Sequence, residues 1–466
     1  MTRRRLVITR RRLCRPSDNL HSGREKLTPT YPFCARLFVY LHLKNRSKRM
    51  KILHTADWHL GDTFHGYDRT DEHRHFLDWL LQTVAEEHPD ALLVSGDIFD
   101  HANPPAAAER QLYDFLTQVT ADNAGLRVIL TAGNHDSSYR LEAPAALYRR
   151  LGIEVRGVIA RTPKDEPDMD TLMVVLREAT DDAPAVVVLA VPFLRTEDLA
   201  QGMGQSEAVR LFFKDLVRAA RKRFGPTARL VLQAHFYAAG AEVSELEHSE
   251  RVVVGGQECV DATGLGHGLD YVALGHIHKA QAVAGQPTVR YAGSVLPMSF
   301  AEKNYSHGIE RVVIADDGSV SVDRIAYEPP RSLKSVPEQG SGTLEDVLRE
   351  LTRLPKAHGD DDGADWPYLE VRVQEPTPDP SVGAAIVKTL DGRAARLCRV
   401  LRSRPDGQPA NEKTPVATLE DLQKINPVQI ARDIYRNRYG EDMPDEVARL
   451  LAQAKRSCEE QQATQP

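Results

Sequence analysis

The sequence predicts an α/β fold in which parallel strands are joined by right-handed helical crossovers. Three observations predict it. Short apolar runs alternate with amphipathic segments from Lys51 onward. Several runs, such as VVVLAV at 186–191, have no polar break, as strands covered on both faces require. Strand after strand runs out into Asp, His or Asn, at the carboxyl ends where such sheets gather ligands.

In chain order, KILHT (51–55) is the first strand. Arg69 to His88 reads as a helix, because Leu77, Leu80, Leu81 and Val84 form one stripe on a charged segment. ALLVS (91–95) is the second strand. Asn103 and Pro104 read as the N-cap and first-turn proline of a helix reaching about Asp122. LRVILTA (126–132) is the third strand, and RLVLQA (229–234), DYVALG (270–275), TVRYAG (288–293) and IERVVIA (309–315) continue the pattern. Past Pro329 proline, glycine and acidic residues cluster, in PEQGSG (337–342) and HGDDDGADWP (358–367), which predicts a boundary at about residue 330. Beyond it YLEVRV (368–373) and AAIVKTL (384–390) read as a strand and a helix of a small α/β module. Arg393, Arg396, Arg399, Arg402 and Arg404 read either as phosphate contacts or as a solvated charged face. Ile430 and Ile434, then Val447, Leu450 and Leu451, place apolar stripes on two short helices separated by YGEDMP (439–444).

Composition limits the function classes. A chain of 466 residues, 41% hydrophobic and 27% charged, has material for two to four folded domains. The longest apolar run, AVVVLAVPFL (185–194), contains a proline and falls short of the ~20 residues that cross a bilayer, so no membrane span is expected. The five cysteines lack CxxC spacing, which points to neither a zinc knuckle nor a disulfide framework and fits a reducing cytoplasm. The net charge of -6 hides an asymmetry: residues 1–49 carry 14 Lys or Arg against 2 acids, leaving -18 from residue 50 onward. This basic leader could bind nucleic acid or act as a targeting peptide, but it has no secretory h-region, and with a strand beginning at Lys51 the native start is expected at Met50. No GxxxxGK[ST] loop occurs, so any ATP dependence must be borrowed from a partner.

The strand ends carry the chemistry. The first ends in Asp57-Trp58-His59, the second in Gly96-Asp97 with Asp100 beyond, the third in Gly133-Asn134-His135-Asp136. Downstream, RLVLQA runs into His235 and DYVALG into His276-Ile277-His278. In an extended segment residues i and i+2 share a side, so Asp57 with His59, and His276 with His278, could each offer two ligands to one pocket. Glycines before Asp97, Asn134 and His276 permit a sharp exit and close backbone approach to the ions. Two carboxylates, one amide and four imidazoles are too many for one tetrahedral ion and suit two. Mixed oxygen and nitrogen ligation admits Mn, Fe or Zn.

This ordered set (DxH, GDxxD, GNHD, a separate His, GHxH) resembles the calcineurin-like metallophosphoesterase superfamily. The longer stretches HTADWHLGD (54–62), VSGDIFDHANPP (94–105), LTAGNHDS (130–137), ALGHIHKAQ (273–281) and VRYAGSVLPMSF (289–300) are similar to its SbcD nuclease family. Val295 departs from that family's pattern, which is expected to have proline after Gly-Ser. The resemblance implies two mainly mixed β-sheets flanked by helices over residues 50–330, an α/β capping domain over 331–410, and helices at 411–466 that dock on a coiled-coil ATPase. It implies that Asp57, His59 and His278 hold one ion, and Asn134, His235 and His276 a second, with Asp97 bridging and Mn²⁺ as the metal. His135 would stabilise the transition state or protonate the leaving sugar oxygen. The implied activity is 3′ to 5′ exonuclease and endonuclease action on DNA ends and hairpins in repair and recombination. The implied setting is the cytoplasm at the nucleoid, as a homodimer within a heterotetramer with an SbcC-type ATPase. Two other classes compete: a phosphatase or cyclic-nucleotide phosphodiesterase on the same scaffold, and a non-catalytic scaffold at DNA ends. The cap and helical tail favour a nuclease, and a complete ligand set disfavours the scaffold.

Overall fold

The computed structural model describes residues 49–181, 183–242, 260–261, 264–357, 363, 365–375, 379–404, 443–444 and 447. Most of the basic leader, and Ile430, Ile434, Leu450 and Leu451 of the expected docking helices, lie outside the described residues.

Residues Met50 onward build two six-stranded sheets and a smaller three-stranded one. In the first sheet, Arg49–Thr55, Ala91–Ser95, Arg127–Thr131 and Ile153–Arg156 run parallel in that order, and the antiparallel pair Gly308–Ala315 and Val320–Ala326 extends it beyond Arg49–Thr55. In the second, Val186–Ala190, Arg229–His235, Tyr271–Gly275 and Gln286–Tyr291 run parallel, with antiparallel edges at Met173–Arg177 and Gln281–Val283. Both sheets are therefore mixed, with parallel centres.

The uninterrupted apolar runs now have a physical reason, because alternate residues of one strand serve different cores. Ile52, Leu93, Ile129, Val186, Val188 and Val231 pack between the two sheets. Leu53, Leu92, Val94, Val128 and Leu130 face the other way, against helices Thr70–Glu87 and Ala106–Asp122. Val187, Leu189, Leu230 and Leu232 likewise cover Gln205–Phe224 through Phe212, Phe213 and Leu216. The order is helix, sheet, sheet, helix. Among the described residues no helix is long and apolar enough to cross a membrane.

Two local expectations are corrected. The second helix begins at Ala106 and its N-cap is Pro105, without a side-chain cap. Pro105 disfavours helical dihedrals at the residue before it, so Pro104 cannot be the first helical residue. Asn103 instead accepts a hydrogen bond from Arg140. The helix Gln205–Phe224 adds an element that the strand pattern does not announce. Phe212, Phe213, Leu216 and Ala220 repeat at helical spacing, but the β-branched runs on either side give the stronger signal.

The third sheet is a compact βαβαβ unit: Leu333–Val336, Tyr368–Gln374 and Arg396–Ser403 are parallel, and helices Leu344–Leu351 and Ser381–Leu390 lie between them in the chain. Val336, Val347, Leu351, Val371, Val373 and Ile386 form its core. Four of the five arginines in question are committed within this unit or against its neighbour. Arg393 donates to Leu354 O and Arg396 to Gly363 O, Arg399 pairs with Glu370, and Arg402 pairs with Glu375. Each thus has at least one guanidinium N–H engaged within the protein.

Trp58 ties the first strand end into the helical layer. It is fully buried, edge-on to Phe76 and Phe115 at centroid distances of 5.8 and 5.5 Å, and its Nε1 donates to Thr55 Oγ1 at 2.9 Å. Trp58→Ala should cost about 3–5 kcal/mol in urea denaturation, with Trp58→Phe costing less. A loss below about 1 kcal/mol would show that the ring does not anchor this turn.

Candidate metal centre

Every side chain singled out in the sequence arrives at one edge of the paired sheets, and the backbone is distorted to bring it there. Asp57, His59 and Asp97 sit in the left-handed region at φ 53°, 47° and 47°, and His276 lies at φ 103°. The expectation of an extended Asp-Trp-His segment is thus corrected. Two left-handed residues flank Trp58 and send its ring into the core while both ligands face the pocket. Such conformations cost on the order of 1–3 kcal/mol each and persist only where the surroundings impose them. Here the chain after the first strand donates from Asp57 N to Gly96 O at 3.1 Å, His59 N to Asp97 O at 3.0 Å and Leu60 N to Ile98 O at 2.9 Å.

Glycine is required where the strand ends meet. A Cβ on Gly96, at φ 85°, would lie 2.2 Å from His235 Nδ1, and one on Gly133 would lie 2.1 Å from Asp97 Oδ1. The expected close approach to ions is corrected: the space these glycines leave is taken by side chains of neighbouring candidate ligands.

The donor atoms form overlapping groups whose members lie within 4.8 Å of one another: Asp57, His59 and His278; Asp97, His235 and His276; and His59, Asp97 and His135. Asn134 joins the second group, its Oδ1 being 3.0 Å from both His235 Nε2 and His276 Nδ1. Asp97 belongs to two groups, with Oδ2 3.2 Å from His235 Nε2 and 3.9 Å from His59 Nε2. All but Asn134 and His135 are buried, and those two are half-buried.

Groups to which the sequence assigns no role set the imidazoles. Asp100 Oδ1 lies 3.2 Å from His59 Nδ1, Glu302 Oε1 3.2 Å from His278 Nδ1, and Ser95 O 2.9 Å from His235 Nδ1. Carbonyl and ionised carboxylate oxygens only accept, so each Nδ1 carries a proton, and each Nε2 becomes a lone-pair donor once its ring is neutral. Asp100 O does the same for His135 Nδ1 at 2.8 Å. Asp136 is a loop fastener, accepting from Ile98 N, Phe99 N and Gly133 N at 3.1, 2.9 and 2.8 Å. The second Asp of GDxxD and the last residue of GNHD are visible signals, whereas Glu302 and Ser95 O come from places no local motif marks.

These residues fit divalent cations. His59 Nε2 is buried without a hydrogen-bond partner, beside the Asp97 carboxylate. The field also asks for positive charge. Burial alone would lower His235, yet Asp97 and then Asp57 push it up to about 9. Burial likewise opposes the rise at His59, where Asp100 and Asp97 prevail. Burial would raise Asp97, but His235 and His59 hold it well below the usual carboxylate range. Asp57 is raised by burial against the pull of His235 and His278, and His276 is pushed down to about 3 by burial and by His235. A cation among these groups would satisfy the carboxylates and displace protons from imidazole.

Asp97→Ala and, independently, Gly133→Ala should each lower tightly bound divalent metal, measured by elemental analysis after dialysis. Metal content unchanged in both would remove Asp97 from the centre.

Comparison with known proteins agrees with this geometry. The profile of the calcineurin-like phosphoesterase family matches residues 50–280, and that of the type 5 capsule protein repressor C-terminal domain matches residues 329–439. The SbcD component of nuclease SbcCD from Rhodobacter capsulatus is 35% identical over 387 residues, covering 81% of this chain and 92% of that protein. The proteins of the same name from Escherichia coli K12 and Bacillus subtilis are 31% and 34% identical, covering 59% and 70% of this chain and 68% and 80% of theirs. Val295, the one departure noted from the family pattern, is fully buried in the core beside the helices, so it bears on packing. The chain belongs to the SbcD nuclease family of calcineurin-like metallophosphoesterases, and is a metal-dependent hydrolase.

Proposed function

We propose that this chain hydrolyses phosphodiester bonds at DNA ends and hairpins, as a 3′ to 5′ exonuclease and an endonuclease in repair and recombination. It would do so with two divalent cations, Mn²⁺ by family resemblance. The observation that carries the reading is the pair of buried donor groups, Asp57 with His59 and His278 and Asp97 with His235 and His276, linked by a third group of His59, Asp97 and the half-buried His135. Asp57, His59 and His278 would hold one cation, and Asn134, His235 and His276 the other, with Asp97 common to both. Bound there, the cations supply Lewis-acid chemistry, acidifying water and offsetting negative charge on the phosphoryl oxygens.

The chain's own residues supply orientation and a proton. His135 donates from its backbone N–H to Asp97 Oδ1 at 2.8 Å, so its position is tied to the shared carboxylate. Its Nδ1 donates to Asp100 O, so in the imidazolium form it is the Nε2–H that would hand its proton to the leaving sugar oxygen. Its ring stands edge-on to that of His59 at 4.9 Å, which restricts its rotation. Asp100 thereby serves two imidazoles, one through its side chain and one through its backbone.

The name of the relatives, a component of a nuclease called SbcCD, supports an SbcC-type coiled-coil ATPase as partner. The expected arrangement is a homodimer of this chain within a heterotetramer, acting at the nucleoid. Residues 331–410 would form the capping domain that admits DNA ends, and residues 411–466 the part that grips the ATPase.

His135→Ala should retain both cations and lose about 10²–10⁴-fold in hydrolysis, measured as nuclease rate alongside metal content. A near-normal rate would show that the proton comes from elsewhere. End-labelled hairpin DNA incubated with Mn²⁺, with and without the ATPase, should be opened and degraded while small phosphomonoesters are left intact. Preference for the small esters would give the phosphatase reading instead.

A further inference from the structure

The cap and the metal centre share a turn of chain. Glu302 ends the short 3-10 helix Phe300–Glu302 and is 1% exposed. Its Oε1 holds His278 Nδ1, and its Oε2 accepts from Met298 N at 2.8 Å. The residues on either side of it belong to the cap interface. Phe300 packs with Phe64 and Tyr368 and lies under the Arg399 guanidinium at 5.1 Å. Lys303 Nζ reaches Ser335 Oγ at 3.5 Å and Glu338 O at 3.4 Å.

A second route joins the same two places through buried charge. Glu72 Oε1 accepts from Tyr368 Oη at 2.5 Å and from Arg331 Nη1 at 2.9 Å, the former on the cap sheet and the latter just before it. Glu72 Oε2 pairs with Arg69 Nη2 at 3.3 Å, and Arg69 Nη1 donates to Pro297 O at 2.9 Å, one residue before Met298. Arg69, Glu72, Arg331 and Tyr368 are all at least nine-tenths buried. Removing one member of such a network leaves the others with unmatched charge or hydrogen-bonding capacity, so it has one well-satisfied arrangement.

We propose that Glu302 is a positioning residue for His278, and that seating of the cap on Glu72 and Phe300 holds it in place. Cap position then tunes cation affinity at the group of Asp57, His59 and His278. The proposal rests on the reading of that group as a cation site. A movement of the cap would reach the group of Asp57, His59 and His278, chiefly through Glu302 on His278 and also through Arg69 and Asp62, whose N–H donates to His59 O, and would leave the group of Asp97, His235 and His276 as it was.

The test is calorimetric titration of the full chain with Mn²⁺, resolving two sites. Glu302→Ala should weaken one site about 10–100-fold and spare the other. Glu302→Gln, which replaces one of the two acceptor oxygens by a donor, should fall between. Tyr368→Phe, which removes only the hydroxyl on Glu72, should weaken the same site by roughly 2- to 30-fold, and should add little in the Glu302→Ala background. Wild-type affinity in Glu302→Ala, equal weakening of both sites, or a Tyr368→Phe effect that persists undiminished in that background would overturn the proposal. His278→Ala separates the two readings. If it leaves both sites intact, the cation site itself is misassigned. If it removes one site while the Glu302 variants remove none, the relay alone fails.

Discussion

The molecule depends on the meeting of two sheets whose strand ends must approach to within a hydrogen bond of each other. Asp57, His59, Asp97 and His276 each accept an unfavourable backbone conformation at that seam. The strands behind them are fixed by cores on both faces, and the glycines beside them remove the Cβ atoms that would hold the ends apart. Apolar burial in the layers is thus what places polar donors at close quarters. The cost of crowding carboxylates and imidazoles out of water is met in part by the hydrogen bonds that His59, His278 and His235 donate to Asp100, Glu302 and Ser95 O.

This arrangement separates rigidity from access. The ligand candidates other than Asn134 are buried, and Nδ1 of His59, His235 and His278 is occupied by a carbonyl or carboxylate. His135 and Asn134 are half-buried on the loop after the third strand, where a substrate can be met. The cap is bound to the phosphoesterase unit by an aromatic cluster around Tyr368 and by buried ion pairs rather than by a continuous apolar face. Such an interface is specific in register and sensitive to the loss of any one partner.

Much of this is legible in the sequence for an identifiable reason. A strand with two buried faces must be apolar throughout, so ALLVS and VVVLAV stand out, and polar residues at their ends have to be there for chemistry or turning. Edge strands such as Ile153–Arg156, half apolar and half polar, give no comparable contrast. The pairing of Asp57 with His59 is visible in the sequence but its cause is not, since the shared direction comes from two left-handed residues and not from extended chain. Glu302 is invisible because its partner is 24 residues away, with two strands between them in the chain. The arginines at 393–402 look available in the sequence because their acceptors, Leu354 O, Gly363 O, Glu370 and Glu375, come from other strands and loops.

The claim on which the rest stands is that the shared edge binds a pair of cations, one on each side of Asp97. Anomalous diffraction at the manganese edge, from crystals of the full chain grown in Mn²⁺, tests it most directly. Two peaks are predicted, one ringed by Asp57, His59 and His278, the other by Asn134, His235 and His276, with Asp97 touching both. A single peak, or two peaks that Asp97 does not join, would contradict it.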